Sequence, residues 1–107
     1  MELINKHIRE LRRLCDKHYV VELYVFGSMV KGNHSKVSDI DFLVLFSGVD
    51  PIDYFDNYMD FKVALEKLYS RNIDLVEVQT VKNPILKRSI DRDKIQLYGR
   101  EDSKMAV

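Results

Sequence analysis

Asp39 and Asp41 stand one residue apart at the head of a hydrophobic run, DIDFLVLF, ten residues after the pair Gly27-Ser28. On an extended strand, side chains at i and i+2 share a face. Both carboxylates therefore project together, and Ile40 points the other way. Two carboxylates that close repel each other, and both stay ionised at low cost only in water or around a cation. Mg²⁺ takes oxygen ligands, commonly one or two protein carboxylates completed by phosphate oxygens. An Asp-x-Asp pair at a strand end, beside a polar loop, meets that demand. Asp74 is a third acid in a comparable setting, one residue into the apolar run IDLVEV. If that run pairs beside residues 39–46, three carboxylates converge. Three are enough to hold two divalent ions, which can clamp the attacking and leaving oxygens of a phosphoryl-type displacement.

Gly27-Ser28 supplies a complementary half. Glycine permits a sharp turn and close approach of a ligand to the backbone. The Ser28 N–H and hydroxyl then lie near a helix N-terminus, where anions bind. Lys31 and Lys36 bracket the following loop with positive charge, and His34 within it reads as a solvated loop residue. Taken singly, Gly-Ser is a turn, Asp-x-Asp a capped strand end, and Asp74 an edge residue. In this order and spacing they read as a phosphate cradle followed by a metal site, which a nucleoside triphosphate with Mg²⁺ would satisfy.

The surrounding elements must position these groups. Apolar residues Leu3, Ile4, Ile8, Leu11, Leu14 and Cys15 recur at helical steps and predict one helix to about residue 17. VVELYVF reads as a strand, GNHSKVS as a loop and DIDFLVLF as a second strand. A helix is expected over about 53–70, with Phe55, Tyr58, Phe61, Leu65 and Leu68 as its inner stripe and Tyr54 and Met59 outward. A third strand follows over 73–78. A helix over about 84–92 should begin at Pro84 and turn Ile85, Leu86 and Ile90 inward. Residues 95–98 form a short strand or an extended tail, and the end reads as frayed. The order predicts an α/β (α+β) chain, a small mixed β-sheet with helices packed against it. The link between the first two strands is too short for a crossover helix, so they should run antiparallel.

Bulk properties agree. The 107 residues suit one domain spanning 1–107, with 17 basic and 17 acidic side chains. Such balance gives no bulk reason to bind nucleic acid or an anionic membrane. A lone cysteine, Cys15, reads as a buried structural thiol and fits a reducing compartment. The N-terminus is charged throughout and no apolar run reaches the roughly 20 residues of a membrane span. A soluble cytoplasmic protein is expected.

Gly27-Ser28, ten residues, then Asp39-Ile40-Asp41 resembles the signature of the polymerase-beta-type nucleotidyltransferase superfamily, and above all its smallest branch, the minimal nucleotidyltransferases (MNT). The pattern is carried by VFGSMVKG, SDIDF and LYSRNIDLV. The resemblance implies the nucleotidyltransferase fold, with Asp39, Asp41 and Asp74 as the catalytic, metal-binding triad for two Mg²⁺ ions, and Gly27, Ser28 and Lys31 on the nucleotide phosphates. Many relatives carry Arg where Lys31 stands, and Lys keeps the charge but loses the bidentate fork. Similar proteins pair with a HEPN-domain toxin as its antitoxin and move AMP from ATP to a toxin tyrosine. The resemblance thus implies a protein adenylyltransferase working in a hetero-oligomer. Two other functions remain open: a non-catalytic antitoxin that works by binding, and a small-molecule, aminoglycoside-like nucleotidyltransferase. A template-using polymerase would need more chain than this.

Overall fold

The first strand, Val20–Phe26 (β1), pairs antiparallel with Ile40–Phe46 (β2), as the short link between them requires. In this computed structural model residues 1–33 and 35–100 are described; His34 and the tail beyond Arg100 lie outside the described residues. Glu2–Lys6 (α1) and Ile8–Lys17 (α2) precede β1, and a single-turn helix, Ser28–Lys31 (α3), follows it. A 3₁₀ turn, Pro51–Asp53, leads into Tyr54–Tyr69 (α4), and then come Ile73–Glu77 (β3), Pro84–Asp93 (α5) and Ile95–Gly99 (β4). The sheet order is β3-β2-β1-β4, with β3 parallel to β2 and β4 antiparallel to β1. The sheet is therefore mixed, and residues 95–99 are a true edge strand.

Strand alternation divides the sheet into two faces. Ile40, Phe42, Val44 and Phe46 of β2 join Leu23, Val25, Ile73 and Leu75 in a core closed by Leu11, Cys15, Phe61 and Leu65 of α2 and α4. Cys15 is fully buried there, as a structural thiol should be, and burial pushes its pKa far up. The opposite face carries Asp41, Leu43 and Leu45 and is covered only in part.

Three expectations need correction. The N-terminal helix is not continuous: it breaks at His7, whose ring packs edge-on against Tyr69 while the Tyr69 hydroxyl donates to the Ile4 carbonyl at 3.1 Å. Phe55 is not on the inner stripe of α4. It is 70% exposed, and Tyr54 packs against the core instead; both positions lie a helical step from Tyr58, and it is Tyr54 whose ring meets Phe46 of β2 edge-on and whose hydroxyl donates to Glu77 of β3 at 2.7 Å. Of the inward residues expected on α5, only Ile90 is buried; Ile85 and Leu86 are 81% and 50% exposed. The first turn of α5 stands clear of the sheet. Its start is nonetheless as expected, with Pro84 in the first turn and the Asn83 side chain accepting from Ile85 N–H at 2.9 Å.

Candidate active site

The parallel register of β2 with β3 sets Asp41 directly beside Asp74 and Ile40 beside Ile73. The pairing on which the three-carboxylate reading depended is thus present. Asp74 is exposed and Asp41 half-buried, both on the sheet face away from α2 and α4. Asp39 is exposed in the residue before β2, close enough for its charge to act on Asp41. The Asp41 carboxyl is pushed up from 3.8 to about 6, first by burial and then by the charges of Asp74 and Asp39. A carboxyl in that position favours any arrangement that brings positive charge to it.

Gly27 closes the site from the β1 side. Phe26 is the register partner of Asp41, so the chain leaves β1 alongside that carboxylate. Gly27 has φ +72°, and a Cβ placed there would lie 2.3 Å from an Asp41 carboxylate oxygen. Only glycine fits: the backbone conformation disfavours a side chain, and the space is already taken by Asp41. Ser28 opens α3, whose first turn is closed by the Val30 and Lys31 N–H groups donating to the Gly27 carbonyl at 3.1 Å. Lys31 ends that turn, its Nζ 3.8 Å from an Asp93 carboxylate oxygen at the end of α5. Lys36 lies elsewhere, along an open groove with Glu66, Ser70 and Asn72.

Among the described residues, no three His, Cys, Asp or Glu side chains form a group that could hold a metal ion by themselves. The donor set still fits Mg²⁺. It is all oxygen, it concentrates like charge on a half-buried carboxyl, and Mg²⁺ commonly completes its shell with water and substrate phosphates rather than an all-protein cage.

Arg71 is a residue that sequence reading passed over. It stands between α4 and β3, and its guanidinium donates to the Ser35 carbonyl at 2.7 Å and the Ser38 carbonyl at 3.1 Å. Ser38 immediately precedes Asp39 and its Oγ accepts from the Ser35 N–H at 2.8 Å. Arg71 therefore clasps the loop that delivers the carboxylates. Its only signal in the sequence is a cation three residues before Asp74.

Among the described residues no helix is long and apolar enough to cross a membrane. The family model described as polymerase beta, nucleotidyltransferase, matches residues 9–103. A Methanocaldococcus jannaschii protein, named provisionally as a protein adenylyltransferase, is 34% identical over 96 residues, which cover 88% of this chain and 90% of that protein. A solved structure named provisionally as a minimal nucleotidyltransferase is 29% identical and superposes with a TM-score of 0.72, over 89% of this chain and 95% of its own. A chain from a complex of tri-AMPylated Shewanella oneidensis HEPN toxin with MNT antitoxin shares the fold at a TM-score of 0.57 and 20% identity, over 95% of this chain and 77% of its own.

Proposed function

The chain belongs to the polymerase beta nucleotidyltransferase family, and on that premise we propose that it moves AMP from ATP to a tyrosine hydroxyl of a HEPN-type toxin partner, and so acts as that partner's antitoxin. The observation that carries this reading is the register pairing of Asp41 with Asp74, with Gly27 pressed against Asp41. A relative named as an adenylyltransferase and a neighbour of the same fold from a toxin–antitoxin complex support it. The reaction belongs in the cytoplasm, where ATP and Mg²⁺ are supplied.

Asp39, Asp41 and Asp74 would hold two Mg²⁺ ions, which when bound neutralise phosphate charge and polarise the α-phosphorus. Gly27 admits the phosphates close to the backbone, and the first N–H groups of α3, beginning at Ser28, donate to their oxygens. Lys31 adds positive charge at the same turn. The acceptor oxygen bonds to the α-phosphorus as the bond to the bridging oxygen breaks, and pyrophosphate leaves. Asp74, the exposed carboxylate on the open face, takes the hydroxyl proton. Little covalent work falls to the protein; positioning and charge complementarity carry the rate.

Incubation with Mg²⁺, ATP and the product of the neighbouring gene, followed by intact mass, tests the reading. The expected result is one or more AMP additions on the partner, lost in Asp39→Asn/Asp41→Asn. A stable, silenced complex with no mass change would refute catalysis and favour an antitoxin that works by contact.

A further inference from the structure

Two pairs of apolar side chains stand in the open at the end of the sheet where β2 and β3 finish. Ile52 and Phe55, at the entry to α4, are 85% and 70% exposed, and the exposed Ile85 and Leu86 open α5. Between the two pairs runs the 3₁₀ turn Val78–Thr80 that follows β3. The Tyr54 hydroxyl ties this turn to α4, donating to Glu77 at 2.7 Å and accepting from Gln79 at 3.1 Å, and Val78 shares a cavity wall with Lys87 of α5. Single apolar side chains on a surface mean little, but grouped ones mark a contact with another molecule.

The charges around the two pairs are opposite in sign. Asp50, Asp53 and Asp56 alternate with the first pair, and Lys82, Lys87 and Arg88 bracket the second. All six are exposed. Among the described residues Asp53, Asp56, Lys82 and Arg88 have no ion-pair partner, and Lys87 meets Asp91 only at 3.8 Å on the surface, a contact of little strength. Each pair therefore lacks the countercharge that the other carries. The chain as a whole has 17 basic and 17 acidic side chains, so no net charge holds two copies apart.

We propose that the occupant of this surface is a second copy of the chain, related by a twofold axis at the turn after β3. Such an axis sets each surface against its complement twice over. Ile52 and Phe55 of one copy seat on Ile85 and Leu86 of the other, acids against cations, and the reverse contact forms at the same time. The pairing leaves the chemistry free. Gly27, Asp39 and Asp41 lie at the start of β2, and the seven residues of that strand carry the chain roughly 20 Å away to the paired end. The dimer therefore presents two outward-facing sites, each open to its own acceptor. Two small apolar contacts edged by exposed ion pairs make a weak, exchangeable association, so dilute samples unfold as single chains.

Sedimentation equilibrium over a concentration series tests this, with thermal melting to confirm that each variant folds. The wild type should form a reversible dimer, and Phe55→Arg, which sets a cation against the cations of the other copy, should weaken it by about tenfold or more. Asp53→Lys/Asp56→Lys turns the first surface basic like the second, and Lys82→Glu/Arg88→Glu turns the second acidic like the first. Each of these variants alone should lose the dimer, and an equimolar mixture of the two should recover it as a hybrid with both contacts matched. A wild type that stays a single chain up to about 1 mM overturns the proposal. So does a dimer indifferent to both charge swaps, or a mixture that fails to recover. If the wild type alone is monomeric and Phe55→Arg loses its complex with the product of the neighbouring gene, the surface belongs to that protein and the proposal falls.

Discussion

Gly27→Ala separates the energetic and chemical roles of one backbone position. At φ +72° an alanine is strained by about 1–3 kcal/mol. The new Cβ would also meet the Asp41 carboxylate oxygen at 2.3 Å, so that oxygen must retreat by about 1 Å to reach ordinary contact at 3.4 Å. The carboxylate is the end of a short, rotatable side chain, and an off-rotamer turn adds only about 0.5–1.5 kcal/mol. The chemistry is less forgiving, because a displacement of about 1 Å in a reacting site can lower the rate roughly 100-fold. Gly32→Ala is a control for a side chain at positive φ: φ is +78° in the ordinary left-handed region, and nothing lies within 4 Å of its Cβ. Both variants should melt earlier, by roughly 4–8 °C for each kcal/mol in a domain of this size. Only Gly27→Ala should lose AMP transfer, by about two orders of magnitude, measured as the initial rate of mass addition to the partner. If Gly27→Ala keeps its rate within about threefold, the close approach of Gly27 does not position Asp41. If Gly32→Ala loses the same activity, the loss does not report on the contact between position 27 and Asp41.

Arg71→Ala should lower the transfer rate about tenfold with a smaller change in melting, and Arg71→Lys should recover only part, because both carbonyls are held by one terminal guanidinium nitrogen, Nη1, and the lysine ammonium sits on a stem one bond shorter. In EDTA, the raised Asp41 carboxyl makes a contribution to stability that is fully present below pH 3.8 and lost as pH rises through about 6. Melting temperatures across that window should fall less for Asp41→Asn than for wild type, and identical slopes would exclude the carboxylate cluster as the cause. Phe61→Ala removes a fully buried ring and should cost about 3–5 kcal/mol in denaturant unfolding. Phe55→Ala, at an exposed position, should stay within roughly 0.5 kcal/mol, and a large loss there would contradict the phase assigned to α4.

Much of this was legible in the chain. VVELYVF and DIDFLVLF are rich in β-branched, aromatic and other apolar residues, as strands are, and the ten residues between Ser28 and Asp39 leave no room for a parallel crossover; the second strand itself begins one residue later than expected, at Ile40. The convergence of Asp74 on Asp41 followed once β3 was placed beside β2. What was hidden depends on contacts between distant residues. The break at His7 answers to the Tyr69 ring and hydroxyl, which no local pattern foretells. Phe55 and Tyr54 are adjacent aromatics, and only the packed sheet decides which of the two turns inward. Ile85 and Leu86 look like core because they are apolar, but α5 meets the sheet only at a later turn. Arg71 and Ser35 are 36 positions apart, beyond the reach of any periodicity.

The mixed pairing of β2 has a consequence for how the protein comes into being. Its antiparallel edge with β1 joins neighbouring segments, whereas its parallel edge with β3 requires α4 to pack back across the sheet first. Non-local pairings of that kind form late, since the chain must close a long loop before any contact rewards it. Asp39 and Asp41 are thus in place on an early hairpin, and Asp74 arrives 33 positions after Asp41, with the final docking. On the proposed roles of Asp39, Asp41 and Asp74, a half-folded molecule holds an incomplete set of carboxylates and should not transfer AMP. Pulsed amide exchange during refolding should show β3 protected after β1 and β2, with activity returning on the β3 timescale, so that catalytic competence itself reports a finished fold.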